Sequence, residues 1–179
     1  VGGFNFLPQR TQSTQRITLV TSVLNIVSFV TNYYLHFPTF SLMINLLFVY
    51  GTLLQPGNDF AEYLNLNCTY VSPGKIRGLL YDIGEYPGAV ITNNTDGYIH
   101  GSIFKLLHPK ENLRVIDNYE GFGPEQDHPN LYIRSVVSVE TDPGFVNAWI
   151  YLYNLPVDGL LQITAGNYAE YIEQKKIPR

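Results

Sequence analysis

Cysteine is almost missing from this chain: Cys68 stands alone among 179 residues. One thiol excludes an intrachain disulfide and any zinc site built from several cysteines. Cys68 is read as a semi-buried structural thiol in a reducing compartment rather than as a nucleophile. Charge is also sparse, with 15% charged residues and a formal net charge of −4. No stripe of Lys and Arg appears, and phosphate binding needs concentrated cations, so nucleic acid is not an expected partner. His36, His100, His108 and His128 have no ligand-like spacing, so no metal is expected. The chain has no G-x-S-x-G, Walker A or G-x-G-x-x-G motif.

Apolar and aromatic residues are plentiful instead, at 45% and 14%. That suffices for a folded core. Tyrosine dominates the aromatics and suits β-structure and cavities with polar walls.

Residues 1–42 do not match the rest. From Ile17 to Asn58 there is no Asp, Glu, Lys or Arg. The largely apolar tract 17–30 is short for a membrane span and is broken by Thr21, Ser22, Asn25 and Ser28. The only methionine, Met43, opens a stretch that reads as the start of a domain. The expectation is an apolar leader at 1–42, from upstream translation or of unrelated origin, a domain at 43–175 and a tail at 176–179. Membrane contact is expected only if 17–30 is a real anchor. A cytoplasmic protein is the main reading, and a secreted or anchored one is the alternative.

Within the domain, Leu46–Tyr50 reads as a buried strand stopped by Gly51. Asp59 is the expected N-cap of a short helix through Leu64. Cys68–Val71 reads as extended, Ser72-Pro73-Gly74 as a turn and Lys75–Tyr81 as a strand. Tyr86-Pro87-Gly88 is a further turn, and Ala89–Thr92 is short and β-prone. Thr95-Asp96-Gly97 is a hairpin-type turn before the alternating run Tyr98–Leu106. Pro109–Asn118 has helical spacing, and this helix is the natural cover for an open end of a barrel. Gly121–Asn130 is a polar loop. Tyr132–Thr141 and Phe145–Tyr153 read as strands around the turn Asp142-Pro143-Gly144, and Asn167–Gln174 as a final helix. Six strands, a few short helices and no βαβ alternation predict an α+β domain: a small mixed, mainly antiparallel β-barrel with flanking short helices.

Three groups of residues have chemical potential. In Tyr50-Gly51-Thr52-Leu53, the glycine permits close backbone approach, and successive N–H groups can form an anion-binding concavity. By spacing alone this is an ordinary tight turn. In Asp117-Asn118-Tyr119-Glu120-Gly121, Glu120 falls at a helix C-terminus, where negative charge opposes the dipole. Partial burial there would raise its pKa toward a value useful for proton transfer. Taken alone, the spacing fits an exposed helix-end residue better. Tyr132 and Arg134 share one face of a strand and offer a hydroxyl and a guanidinium to an anion, or form a surface pair.

These segments also stand in a familiar order. Leu47-Phe48-Val49-Tyr50-Gly51-Thr52-Leu53 is followed by Tyr86-Pro87-Gly88, Gly101-Ser102-Ile103-Phe104, Asp117–Gly121 and Tyr132-Ile133-Arg134. The pattern resembles the gamma-glutamylcyclotransferase-like family, in the branch with the plant avirulence-induced proteins and gamma-glutamylamine cyclotransferase. The resemblance implies a small barrel with flanking helices. It also implies release of 5-oxoproline from a small gamma-glutamyl substrate, without a cofactor. It makes Glu120 the catalytic acid/base, and Tyr50, Gly51, Thr52, Leu53 and Tyr132 the substrate-binding residues. The alternative function is a non-catalytic module on the same fold that binds a small metabolite.

Overall fold

Alternating side chains set the strands of this chain, and glycines and prolines set many of their ends. The computed structural model describes residues 44–54 and 58–176. The expected domain start at Met43, the tract 17–30 and residues 177–179 lie outside the described residues.

The strands are β1 Leu46–Val49, β2 Cys68–Arg77, β3 Leu79–Asp82, β4 Pro87–Val90, β5 Tyr98–Leu106, β6 Tyr132–Thr141, β7 Gly144–Tyr153 and β8 Leu161–Gln162. The helices are α1 Asp59–Asn67, α2 Pro109–Tyr119 and α3 Tyr168–Lys176, and a 3-10 turn covers Thr52–Leu54. Five strands close into a barrel in the order β1-β5-β2-β6-β7, and β4-β3-β8 form a separate sheet. The barrel pairs are antiparallel, except that β1 runs parallel to β7, with Leu47 opposite Trp149. This is the mixed, mainly antiparallel barrel expected from the sequence.

Strand periodicity sorts the core into two layers. Along β1, Phe48 and Tyr50 join Ile76, Ile99, Ile103, Val137, Val139, Ala148 and Ile150 in the barrel interior. Leu47 and Val49 face the other way and meet Leu64 of α1 and Leu113 and Ile116 of α2. Successive strand residues point to opposite faces, so α2 lies against the barrel wall. The expectation that α2 covers an open end is therefore corrected. Its apolar stripe matches the outer layer, which seats Leu113 and Ile116 beside Leu47, Val49, Phe104 and Leu106. Pro109 starts α2, and the buried Asn112 side chain accepts from the His108 N–H at 2.9 Å and donates to the Tyr63 hydroxyl at 3.1 Å.

Five local expectations change. Lys75–Tyr81 is not one strand, because the chain leaves the barrel between Arg77 and Leu79 and enters the second sheet. Pro87 and Gly88 are the first residues of β4 and not part of a turn. Ser72-Pro73-Gly74 is part of β2 and not a turn, with Pro73 opposite Ser102 and Gly74 opposite Gly101. A register shift between Tyr70 and Ser72 absorbs the irregularity, and β2 meets β6 only at Lys75–Glu140, so Pro73 breaks no ladder on that side. A Cβ on Gly74 would lie 2.7 Å from Val139 Cγ1, so glycine permits the strands to close. Thr95–Gly97 is stabilised by its own threonine hydroxyl, which accepts from the Gly97 N–H at 3.0 Å, but it joins strands of different sheets rather than a hairpin. The N-cap of α1 is Asn58, whose side chain accepts from Phe60 N–H at 2.8 Å, and not Asp59. Among the described residues no helix is long and apolar enough to cross a membrane.

Candidate active site

The site is assembled where the outer layer ends, from three parts of the chain. The first is the turn that leaves β1. Tyr50 is buried and donates its hydroxyl to the Tyr151 carbonyl at 2.7 Å, which fixes the strand end against β7. Gly51 then passes so close to the start of β4 that an added Cβ would lie 2.8 Å from Pro87 Cγ. Only a residue without a side chain fits between the two segments. Thr52–Leu54 follow as a 3-10 turn, with Leu53 buried in the outer layer.

The second part is the end of α2. Glu120 is its C-cap residue, and its N–H donates to the Ile116 carbonyl at 2.9 Å. Gly121 follows with φ +66°, a left-handed conformation that glycine adopts without a Cβ clash. The Phe122 N–H then donates back to the Asp117 carbonyl at 2.9 Å, closing the helix end. This cap stops the chain with the Glu120 side chain facing the turn from β1.

The third part is the start of β6. Tyr132 is buried and donates its hydroxyl to the Pro87 carbonyl at 2.9 Å. Pro87 thus touches both the first and third parts. Together they enclose a cavity of about 230 Å³, lined among others by Tyr50, Gly51, Thr52, Leu53, Glu120 and Tyr132. The six residues that the family resemblance assigns to catalysis and substrate binding therefore share one cavity, whereas Arg134 does not line it.

Among the described residues, Glu120 is the only carboxyl in the wall of that cavity. Among the described residues no protein donor hydrogen-bonds to it, and burial pushes its pKa up to about 7. Loss of water around the carboxylate is the cause, because ionisation in a poorly solvated place is disfavoured. Burial also raises the pKa of Tyr50 and Tyr132, and the nearby Glu120 charge adds to both shifts. Both phenols therefore stay neutral donors at neutral pH.

Arg134 is not in the cavity wall. Its Nη1 donates to Asp117 Oδ1 and Oδ2 at 2.8 and 2.7 Å, and its guanidinium lies 5.0 Å from the Trp149 ring and 5.6 Å from the Phe122 ring. It braces the end of α2 rather than presenting a cation to a ligand. Leu131 and Tyr151 are the wall residues that sequence reasoning missed, while Tyr86, Pro87, Tyr119 and, behind the wall, Asp117 lie in segments it singled out without giving them a role. Tyr151 had a usable signal, since Trp149, Tyr151 and Tyr153 alternate along one face of β7. Among the described residues, no group of three His, Cys, Asp or Glu is placed to hold a metal ion.

Residues 47–170 match the family model described as gamma-glutamyl cyclotransferase, AIG2-like. The chain belongs to this family. The gamma-glutamylcyclotransferase family protein YtfP of Escherichia coli is 32% identical over 126 residues, covering 69% of this chain and 96% of that protein. The gamma-L-glutamyl-butirosin B gamma-glutamyl cyclotransferase of Niallia circulans is 29% identical over 126 residues, covering 70% of this chain and 76% of that one. The crystal structure of YkqA from Bacillus subtilis superposes with a TM-score of 0.57 at 27% identity, over 76% of this chain and 44% of that chain. The matched span of this AIG2-like cyclotransferase domain begins inside β1 and ends in α3, so it contains every part of the cavity.

Proposed function

We propose that this domain is a gamma-glutamyl cyclotransferase that releases 5-oxoproline and a free amine, with Glu120 as general acid/base. The observation that carries this reading is a lone carboxyl, with a pKa of about 7, in a cavity rimmed by the turn leaving β1. The named relatives support it at the level of the family.

The reaction needs little else. The substrate's α-amine attacks its own γ-carbonyl carbon and a new N–C bond closes the five-membered ring. Glu120 takes a proton from the attacking amine. The tetrahedral intermediate then breaks the bond to the original amide nitrogen, and Glu120 returns the proton to that nitrogen. No water is consumed and no covalent enzyme intermediate forms. A carboxyl with a pKa near 7 serves both half-steps, since it is neither too weak a base nor too weak an acid at neutral pH.

Because the nucleophile is tethered, the site's second task is to hold a near-attack conformation. Backbone N–H groups of residues 50–53 are assigned to the substrate α-carboxylate. Among the described wall residues there is no Lys or Arg to do so. The buried wall of Leu53, Tyr50 and Tyr132 keeps water away from the reacting nitrogen.

The test is release of 5-oxoproline from a panel of gamma-glutamyl amides by the wild-type protein and by Glu120→Gln. The variant, still folded, is expected to lose about 10²–10⁴-fold in rate. Equal turnover by the variant would remove Glu120 from the mechanism. Binding of the panel without turnover by the wild type would favour a non-catalytic binding module.

A further inference from the structure

The inner part of the cavity is accounted for by the glutamyl group, but its mouth is not. Three of the wall residues are large, apolar or aromatic, and exposed: Tyr86 at 43%, Tyr119 at 41% and Leu131 at 38%. They come from three separate segments: the loop before β4, the end of α2 and the residue before β6. Tyr119 is not a loosely hanging side chain. Its ring stacks on Phe60 with centroids 4.0 Å apart, and its hydroxyl accepts from Asn58 Nδ2 at 3.3 Å. Leu131 is held by its neighbour Tyr132, whose hydroxyl is fixed to Pro87, and Tyr86 precedes that same Pro87. Exposed apolar side chains converging on a concave site mark a place where a ligand buries them.

The charge pattern of the wall points the same way. Apart from Glu120, the lining has no Asp, Lys, Arg or His among the described residues. The cation and anion just behind it, Arg134 and Asp117, neutralise each other at 2.7 Å. A leaving group that ends in a carboxylate, such as the glycine of a gamma-glutamyl peptide, meets no cation among the described wall residues. One that ends in an ammonium meets no anion except the catalytic carboxyl itself. Moving either charge toward this wall loses hydration without a partner in return.

We infer that Tyr86, Tyr119 and Leu131 form a leaving-group subsite that selects gamma-glutamyl amides of uncharged aromatic or apolar amines over those carrying a second charge. This rests on the proposed cyclotransferase reading only for which end of the substrate reaches the mouth. The subsite itself is a matter of binding.

The experiment uses three ligands that share the glutamyl group: gamma-glutamyl-phenethylamide, gamma-glutamyl-glycine and the mono-gamma-glutamyl amide of 1,5-diaminopentane. Each is titrated calorimetrically into the Glu120→Gln protein, and each is assayed for 5-oxoproline with the wild type. The phenethylamide is expected to bind about 10-fold more tightly than either charged ligand, as partial burial of one ring predicts. Leu131→Ser, and independently Tyr86→Ser, should narrow that gap to about 3-fold or less by weakening the phenethylamide alone. Equal or tighter binding of the glycine or diaminopentane ligand overturns the inference, as does failure of all three to bind. Preferential phenethylamide binding without 5-oxoproline from any ligand keeps the subsite and defeats the cyclotransferase reading. Turnover of all three with no preference keeps the enzyme and defeats the subsite.

Discussion

The Tyr151 hydroxyl donates to the Asp117 carboxylate at 2.8 Å, three residues before Glu120 in the chain. The same Tyr151 accepts the Tyr50 hydroxyl on its backbone carbonyl at 2.7 Å. One residue of β7 therefore ties the end of α2 to the end of β1, the two parts of the site that must face each other. Arg134, which lies opposite Tyr151 in the β6–β7 ladder, also holds Asp117.

Removing that tie has a defined expected outcome. Asp117→Ala leaves a half-buried guanidinium and a buried phenol without their acceptor, which costs about 1–3 kcal/mol. Urea unfolding should show a lower midpoint with an unchanged slope. Asp117 does not line the cavity, so under the proposed mechanism kcat should fall more than KM rises. A variant of unchanged midpoint and kcat would show that the helix end is held by its backbone cap alone.

Gly51 makes a second, purely steric prediction. It has no positive φ, so its need for glycine does not come from backbone strain. It comes from the 2.8 Å between an added Cβ and Pro87 Cγ. Gly51→Ala must push apart the turn from β1 and the start of β4, with a destabilisation of about 1–3 kcal/mol. Thermal melting measures it. A melting temperature equal to wild type would mean that Pro87 yields freely.

Much of this fold is legible in the sequence. β5 and β6 run over Tyr98–Leu106 and Tyr132–Thr141 as alternation predicted, because one face of each is buried and the period of two is clean. Helical spacing over Pro109–Asn118 brackets α2 to within one residue at Tyr119. Cys68–Arg77 was harder, because Pro73 and Gly74 look like a turn. Only the close contact of Gly74 with Val139 explains why they continue a strand. Within the site, Glu120 and residues 50–53 were legible as a motif. Their convergence depends on Pro87 and Tyr151, whose contacts cross 45 and 101 residues of chain, and no local pattern encodes such distances.

Glu120 also makes the fold pH-sensitive. Its folded pKa of about 7 lies above its ordinary value of 4.5, so the folded state holds its proton more tightly than the unfolded state does. This carboxyl's contribution to stability is thus complete below pH 4.5 and is lost as pH rises through 7. Glu120→Gln, which stays neutral, should gain on the order of 1–3 kcal/mol over wild type at pH 8 relative to the same comparison at pH 4. Denaturant unfolding of both proteins at the two pH values measures the difference. A difference that does not change with pH would mean that Glu120 ionises as freely as it does in water.

The most direct test of the central claim is the pH dependence of kcat/KM for 5-oxoproline release from a gamma-glutamyl amide, since that ratio reports groups of the free enzyme and free substrate. If Glu120 is the base, activity rises with a single proton's slope through a midpoint near 7, and Glu120→Gln loses this limb along with most of its rate. A wild-type profile that is flat from pH 5 to pH 8, or a limb near 7 that survives in Glu120→Gln, would contradict the account.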